Sequence, residues 1–250
     1  PMDDGKVDNI VFKKINNKYY RRTDSYSYLD ARWFGWKSDG TDNSSILQNL
    51  VDILKDIDSK FTILIPNGVL NTLELYGSNS SSSWTNRGII FQGVNGATIN
   101  VTKDSGNVIS FGKEINGELL LCKFRTDWKD LIIDCGNKNV TAFQGFDIKP
   151  EIKAENIYVS ISNVIIKRFK KDGINCGYMT DCLFNNLTIE GEEGARGFIP
   201  WRENCQLVNS TIRYCDHGVF VPNFGEANIK MIGGNLMVNK SNITFAGCGY

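Results

Sequence analysis

Apolar and polar positions alternate in short stretches along most of this chain, with one segment that follows a different period. Ile46, Leu47, Leu50, Val51 and Leu54 recur at the three- and four-residue steps that place them on one face of a helix. Asp42, Asn43 and Ser44 stand just ahead and offer the side-chain oxygens that cap a helix N-terminus. The spacing predicts one amphipathic helix over residues 44–56. From Phe61-Thr62-Ile63-Leu64-Ile65 onward, brief apolar stretches rich in β-branched residues alternate with Gly, Asn, Asp and Ser. That pattern predicts many short strands.

The C-terminal half also repeats. Asn163-Val-Ile-Ile-Lys167, Asn186-Leu-Thr-Ile-Glu190 and Asn209-Ser-Thr-Ile-Arg213 align with their asparagines 23 residues apart, and a looser copy starts at Asn228. A glycine followed by an apolar residue comes after each block, at Gly173-Ile174, Gly197-Phe198 and Gly218-Val219. A period of this length with two or three strands per unit fits one coil of a β-solenoid. Side chains alternate along a strand, so Ile166, Ile189 and Ile212 are expected to stack inward on successive coils. Lys167, Glu190 and Arg213 are expected to stack outward. Val159, Cys182 and Cys205, four residues before each asparagine, form a second expected inward column. The asparagines fall at a turn and should pass amide hydrogen bonds from coil to coil. A leucine-rich repeat is excluded, since neither its leucine signature nor a helix per unit is present.

Composition narrows the partners. The 250 residues carry 28 Lys plus Arg against 28 Asp plus Glu, so the basic excess of a nucleic-acid or membrane-surface binder is missing. Hydrophobic residues at 41% and charged residues at 22% describe a folded chain rather than a disordered one. The longest apolar runs fall well short of the roughly 18 residues of a membrane span. Pro1-Met2-Asp3-Asp4-Gly5 lacks the basic and apolar regions of a signal peptide, and a proline ahead of methionine reads as an internal cut. The seven cysteines are odd in number and show no paired CxxC spacing. They are expected to be buried free thiols made in a reducing cytoplasm, with no metal and no cofactor.

The segment from Asp30 to Leu50 carries a more specific signal. Trp33, Phe34, Gly35, Asp39, Gly40, Thr41, Asp42, Ile46 and Gln48 match the opening motif of the pectate-lyase-like single-stranded right-handed β-helix superfamily, prominent in bacteriophage tailspikes and polysaccharide depolymerases. Lys18-Tyr19-Tyr20-Arg21-Arg22 resembles the short strand that often precedes this motif in phage proteins, and Ile63-Leu-Ile-Pro-Asn-Gly68 the strand that follows its helix. Trp36, Ser38 and Asn43 depart from the pattern, as does one residue fewer after Gly40. The motif covers about residues 19–100, and the rest is similar in repeat style only. The resemblance implies an all-β chain, a single-stranded right-handed parallel β-helix (β-solenoid) with an N-terminal capping α-helix. Residues 1–30 would form a lead-in segment and 31–250 the β-helix domain. Asp39 and Asp42 would serve the turn and helix cap rather than chemistry.

Candidate chemistry concentrates in residues 190–203. Glu192 and Glu193 there, with Asp216 from the neighbouring coil, are the candidate acids of a glycoside hydrolase, which needs two carboxylates roughly 5 to 10 Å apart. Trp201 and Tyr214 offer flat apolar faces for a sugar ring, and Arg196 and Glu203 polar contacts. In a lyase, Arg196 could neutralise a uronate carboxylate. Each has a plainer role available: Glu190 in the outward ladder, Glu192 and Glu193 as solvated turn residues, Trp201 in turn packing. His217 lacks an identifiable nucleophile beside it and is expected to be non-catalytic. The resemblance implies a phage tail spike, made in the host cytoplasm and carried in the virion. It would bind and cleave a bacterial surface polysaccharide, as a homotrimer attached to other tail or baseplate proteins. A non-catalytic adhesive module and an exported bacterial glycan-degrading enzyme are the competing classes. The last ten residues stop in mid-repeat, so the domain is expected to be truncated there.

Overall fold

The computed structural model describes residues 12–15, 18–21, 28–57, 59–77, 88–145, 158–177, 179, 181–200, 205–222 and 229–246. Strands dominate, and apart from two short antiparallel hairpins they pair in parallel. The chain passes repeatedly through three sheet faces in the same order, so that each strand lies beside its counterpart from the previous pass. Lys60–Ile65, Gly88–Gly93, Arg125–Lys129, Val159–Ser162, Leu183–Asn185, Cys205–Val208 and Ile229–Ile232 build the first face. Gly68–Leu70, Thr98–Val101, Ile165–Phe169, Thr188–Gly191, Thr211–Arg213 and Asn235–Met237 build the second. Leu73–Glu74, Ser105–Ser110, Asp172–Asn175, Arg196–Ile199, His217–Val221 and Ser241–Phe245 build the third, and the long strand Ile132–Gln144 bends through both second and third. The result, among the described residues, is an all-β, parallel, solenoid-like stack with one α-helix. Among the described residues no helix is long and apolar enough to cross a membrane.

The columns expected from the repeat are in register. Ile99, Ile133, Ile166, Ile189 and Ile212 follow one another across the second face, all fully buried. Val159, Cys182 and Cys205 are buried on the first face. Phe91 stacks on Trp128 with centroids 4.1 Å apart, and Phe143 meets Trp128 edge-on, which fills the wide earlier coils. On the outside, Asp134, Lys167, Glu190 and Arg213 are consecutive partners of alternating sign. Lys167 Nζ reaches Asp134 at 3.3 Å, and Arg213 Nε donates to Glu190 at 2.8 Å. Burial pushes the Asp134 carboxyl up, but bonds from Arg168, the Gly136 N–H and Lys167 outweigh it and hold the group below its ordinary value.

Turn chemistry explains why asparagine recurs. Asp130, Asn163, Asn186 and Asn209 all have φ near +50°, a left-handed conformation in which Asn and Asp cost least among residues with a Cβ. Asn186 Nδ2 donates to Asn163 Oδ1 at 2.8 Å, and Asn163 Nδ2 to Asp130 Oδ1 at 3.1 Å. The ladder therefore extends one coil beyond the visible repeat, into an aspartate.

The glycine of each Gly–apolar pair is required by packing rather than by its torsions. A Cβ on Gly173 would stand 2.5 Å from the Gly197 carbonyl oxygen and 2.8 Å from Ile189 Cγ2, and one on Gly197 would stand 2.7 Å from the Gly218 oxygen. Only glycine fits at this second position of the third-face strands.

The helix spans Ser44–Leu54, two residues shorter than expected, because Ile57 N–H turns back to Leu54 O in a tighter loop. Leu47, Leu50, Val51 and Leu54 bury its apolar face. Gln48 bonds both backbone groups of Glu74, donating from Nε2 to the carbonyl and accepting from the N–H, and so closes part of an open strand edge. Asp42 Oδ1 accepts from the Ser44 and Asn71 N–H groups, and Asp39 Oδ1 from the Thr41 N–H, as turn residues do, while the N-cap position itself is Asn43, whose side chain makes no cap bond. Two departures from the motif have structural reasons. Buried Trp36 donates to Asn67 O and lies against Gly68, whose missing Cβ would be 2.5 Å from the indole nitrogen. Buried Asn43 donates to the carbonyls of Lys37, Thr41 and Val69, which an aspartate could not do.

All six described cysteines are buried. Burial pushes the Cys122, Cys135 and Cys215 thiols up to about 12, the behaviour of packing residues rather than nucleophiles.

Candidate functional site

The turns that leave the second face on successive passes lie next to one another and form an open groove of about 430 Å³. Gly191, Glu192 and Glu193 come from one turn, Tyr214, Cys215 and Asp216 from the next, and Val238 and Lys240 from the third. Tyr214 and Val238 hold φ of 61° and 55°, strained for an aromatic and for a β-branched side chain. Tyr214 is half exposed, and its ring lies 5.2 Å from the Arg213 guanidinium.

The three candidate acids thus share one groove, and two of them share a cation. Lys240 Nζ lies 3.3 Å from Glu193 Oε1 and 3.0 Å from Asp216 Oδ1. Both carboxylates touch one ammonium, so the oxygens that it bridges lie no more than about 6 Å apart. Asp216 Oδ1 also accepts from the Gly194 N–H at 2.9 Å. That backbone bond first, and Lys240 second, hold the Asp216 carboxyl below its ordinary value, while the two carboxylates raise Lys240. Asp216 is therefore an anion fixed in place. Among the described residues the groove is open to solvent, without an enclosing apolar wall of the kind that keeps a catalytic acid protonated.

The other candidates are elsewhere. Arg196 does not line the groove: its guanidinium makes a two-point bond to Asp172, at 2.7 and 3.2 Å, and lies 5.1 Å from the Phe220 ring. Asp172 is fully buried and also accepts from Thr141 Oγ1. Glu190 is engaged by Arg213 in the outward ladder. His217 Nδ1 pairs with Thr244 Oγ1 at 2.8 Å and meets Phe220 edge-on. Trp201 and Glu203 lie outside the described residues.

Lys240 and Val238 were missed from the sequence. The signal was there in part: Lys240 lies 24 residues after Asp216, close to one coil period. The looser copy was aligned from Asn228, whereas the strands pair Thr211 with Asn235, so that Gly233 stands where Asn209 does one coil earlier. Compared with known proteins, the chain matches no family model and no curated sequence.

Proposed function

We propose that this chain is a right-handed parallel β-helix of the tailspike type whose Glu192–Glu193–Asp216 groove binds a bacterial surface polysaccharide. The observation that carries this reading is the meeting of Glu193 and Asp216, from different coils, on Lys240 beside the exposed Tyr214. Fixed carboxylates accept from sugar hydroxyls, an ammonium donates to them, and a tyrosine ring covers the C–H face of a pyranose. The opening motif and the parallel coils support the fold side of the proposal.

Charge selects among glycans. Three carboxylates face one ammonium in the groove, so a polyuronate would meet like charge there, whereas a neutral or amino-sugar chain would not. Arg196, the cation that a lyase would use on a uronate, is committed to Asp172. The paired carboxylates give a second reading, hydrolysis, in which Asp216 serves as the anionic base or nucleophile; a glutamate across from it acts as the acid only once the bound glycan covers it and keeps it protonated.

A panel of neutral and acidic surface polysaccharides tests both, with retention of the protein and release of reducing ends followed together. The proposal expects retention by a neutral glycan, lost in Glu193→Gln/Asp216→Asn. New reducing ends without unsaturated-uronate absorbance would add hydrolysis. Retention by no glycan, or equal retention of the double variant, would overturn it. A homotrimer about a three-fold axis belongs to the same reading, and light scattering reads it directly.

A further inference from the structure

A second cavity, of about 480 Å³, opens where the chain enters the second face, on the opposite edge of that face from the acidic groove. Ile132 and Ile165, both half-buried, contribute to its apolar lining, and Gln92, Asp130 and Asn163 line it with polar groups. These polar groups are already ordered. Gln92 Nε2 donates to Asp130 Oδ2 at 3.3 Å, Asn163 Nδ2 donates to Asp130 Oδ1, and the Asn163 oxygen accepts from Asn186. The carboxylate has further lone pairs, and each amide nitrogen has a second hydrogen. An acceptor flanked by amide donors over an apolar patch matches a sugar ring, whose neighbouring hydroxyls donate and accept while its C–H face seeks apolar contact. Because the network is fixed by the coil-to-coil ladder, little side-chain freedom remains to be lost on binding.

We infer that this notch is a second saccharide subsite, and that one glycan chain crosses the outer surface of the second face between it and the Glu193–Asp216 groove. The inference rests on the proposed glycan binding. The notch belongs to earlier coils than the groove, and the path between them is about 20 Å, from the rise per strand residue and the spacing of stacked strands. The alternating Asp134–Lys167–Glu190–Arg213 ladder lies along it, uncharged on balance and lined with hydrogen-bonding groups.

Affinity electrophoresis of the full chain in gels containing the neutral polysaccharide that it retains tests this. Asp130→Gly and Asn163→Gly remove the side chains but keep the left-handed turn, since Gly233, with φ of 66°, occupies the same turn position one coil after Asn209. Gln92→Ala removes one wall without touching the turn. Each is expected to weaken retention about tenfold for the polymer, as loss of one or two hydrogen bonds to a charged or fixed group does. A disaccharide too short to span the two sites, placed in the groove, should bind all variants alike, which shows each to be folded even where the lost ladder bonds lower its melting midpoint. Unchanged polymer retention in all three variants would overturn the subsite and leave the groove standing. No retention of the parent chain by any glycan would overturn both.

Discussion

Replacing Gly197 by alanine separates the packed-coil account from ordinary expectation, because the two predict opposite signs. Gly197 lies in a strand, and its φ is not in the left-handed region. At such a position alanine usually stabilises by about 0.4–1 kcal/mol through the unfolded chain. In this stack the added methyl group would overlap Ile212 Cγ2, stand 2.7 Å from the Gly218 carbonyl oxygen and 3.3 Å from Cys215 Sγ. The isoleucine can shift only into a core that is already full, and the carbonyl belongs to the next coil's backbone. Overpacking of this kind costs about 1–3 kcal/mol, and a backbone contact puts Gly197→Ala in the upper part of that range. The assay is urea unfolding followed by far-ultraviolet circular dichroism, with Ile212→Ala and the double variant alongside. Ile212→Ala alone should cost about 2–5 kcal/mol. The double variant should be more stable than the sum of the single effects implies, because the methyl then enters the vacated space. A neutral or stabilising Gly197→Ala, or strict additivity, would refute the packing of these coils.

Two further outcomes follow from buried charge. Asp172→Ala strips the bidentate partner from Arg196 and the acceptor from Thr141; because Arg196 keeps a third of its side chain in solvent, the cost should be about 2–3 kcal/mol, below that of a fully enclosed pair, in the same urea titration. Asp30, Asp134 and Asp216 all have carboxyls held below their unfolded values: Asp30 chiefly by the Arg32 side chain, Asp134 by Arg168 and its neighbours against burial, Asp216 by the Gly194 N–H and Lys240. Their stabilisation is therefore complete above the ordinary aspartate value of about 3.9 and fades as pH falls through the lower folded values. Melting midpoints should hold above pH 4 and drop below it, with a shallower drop in Asp134→Asn; an acid limb of unchanged slope in that variant would contradict the assignment.

The regular part of the stack was legible because three consecutive coils keep a 23-residue spacing, so Ile166, Ile189 and Ile212 could be aligned by eye. The earlier coils obey the same register, but insertions stretch their period. Asp130 therefore did not align with Asn163 although both hold the same left-handed turn. Glu192, Glu193 and Asp216 could be grouped because adjacent turns in a solenoid are neighbours in space. Arg196 was misleading: its charge is compensated by Asp172 one coil earlier, a pairing that needs the offset between the third-face strands and not the spacing of the second. Lys240 sits in the degenerate seventh pass, where Asn209 is followed by Gly233 and the asparagine marker is lost. The motif departures Trp36 and Asn43 carried their own compensation, in Gly68 and in three carbonyl acceptors, visible only once the helix was placed against the coil.

Amide hydrogen exchange of the full chain, alone and saturated with the neutral polysaccharide that it retains, addresses glycan binding in the groove most directly. Slower exchange at residues 193–196 and 214–217, around the Gly194 N–H that Asp216 accepts, is the predicted result. Protection elsewhere with these amides unchanged would contradict it.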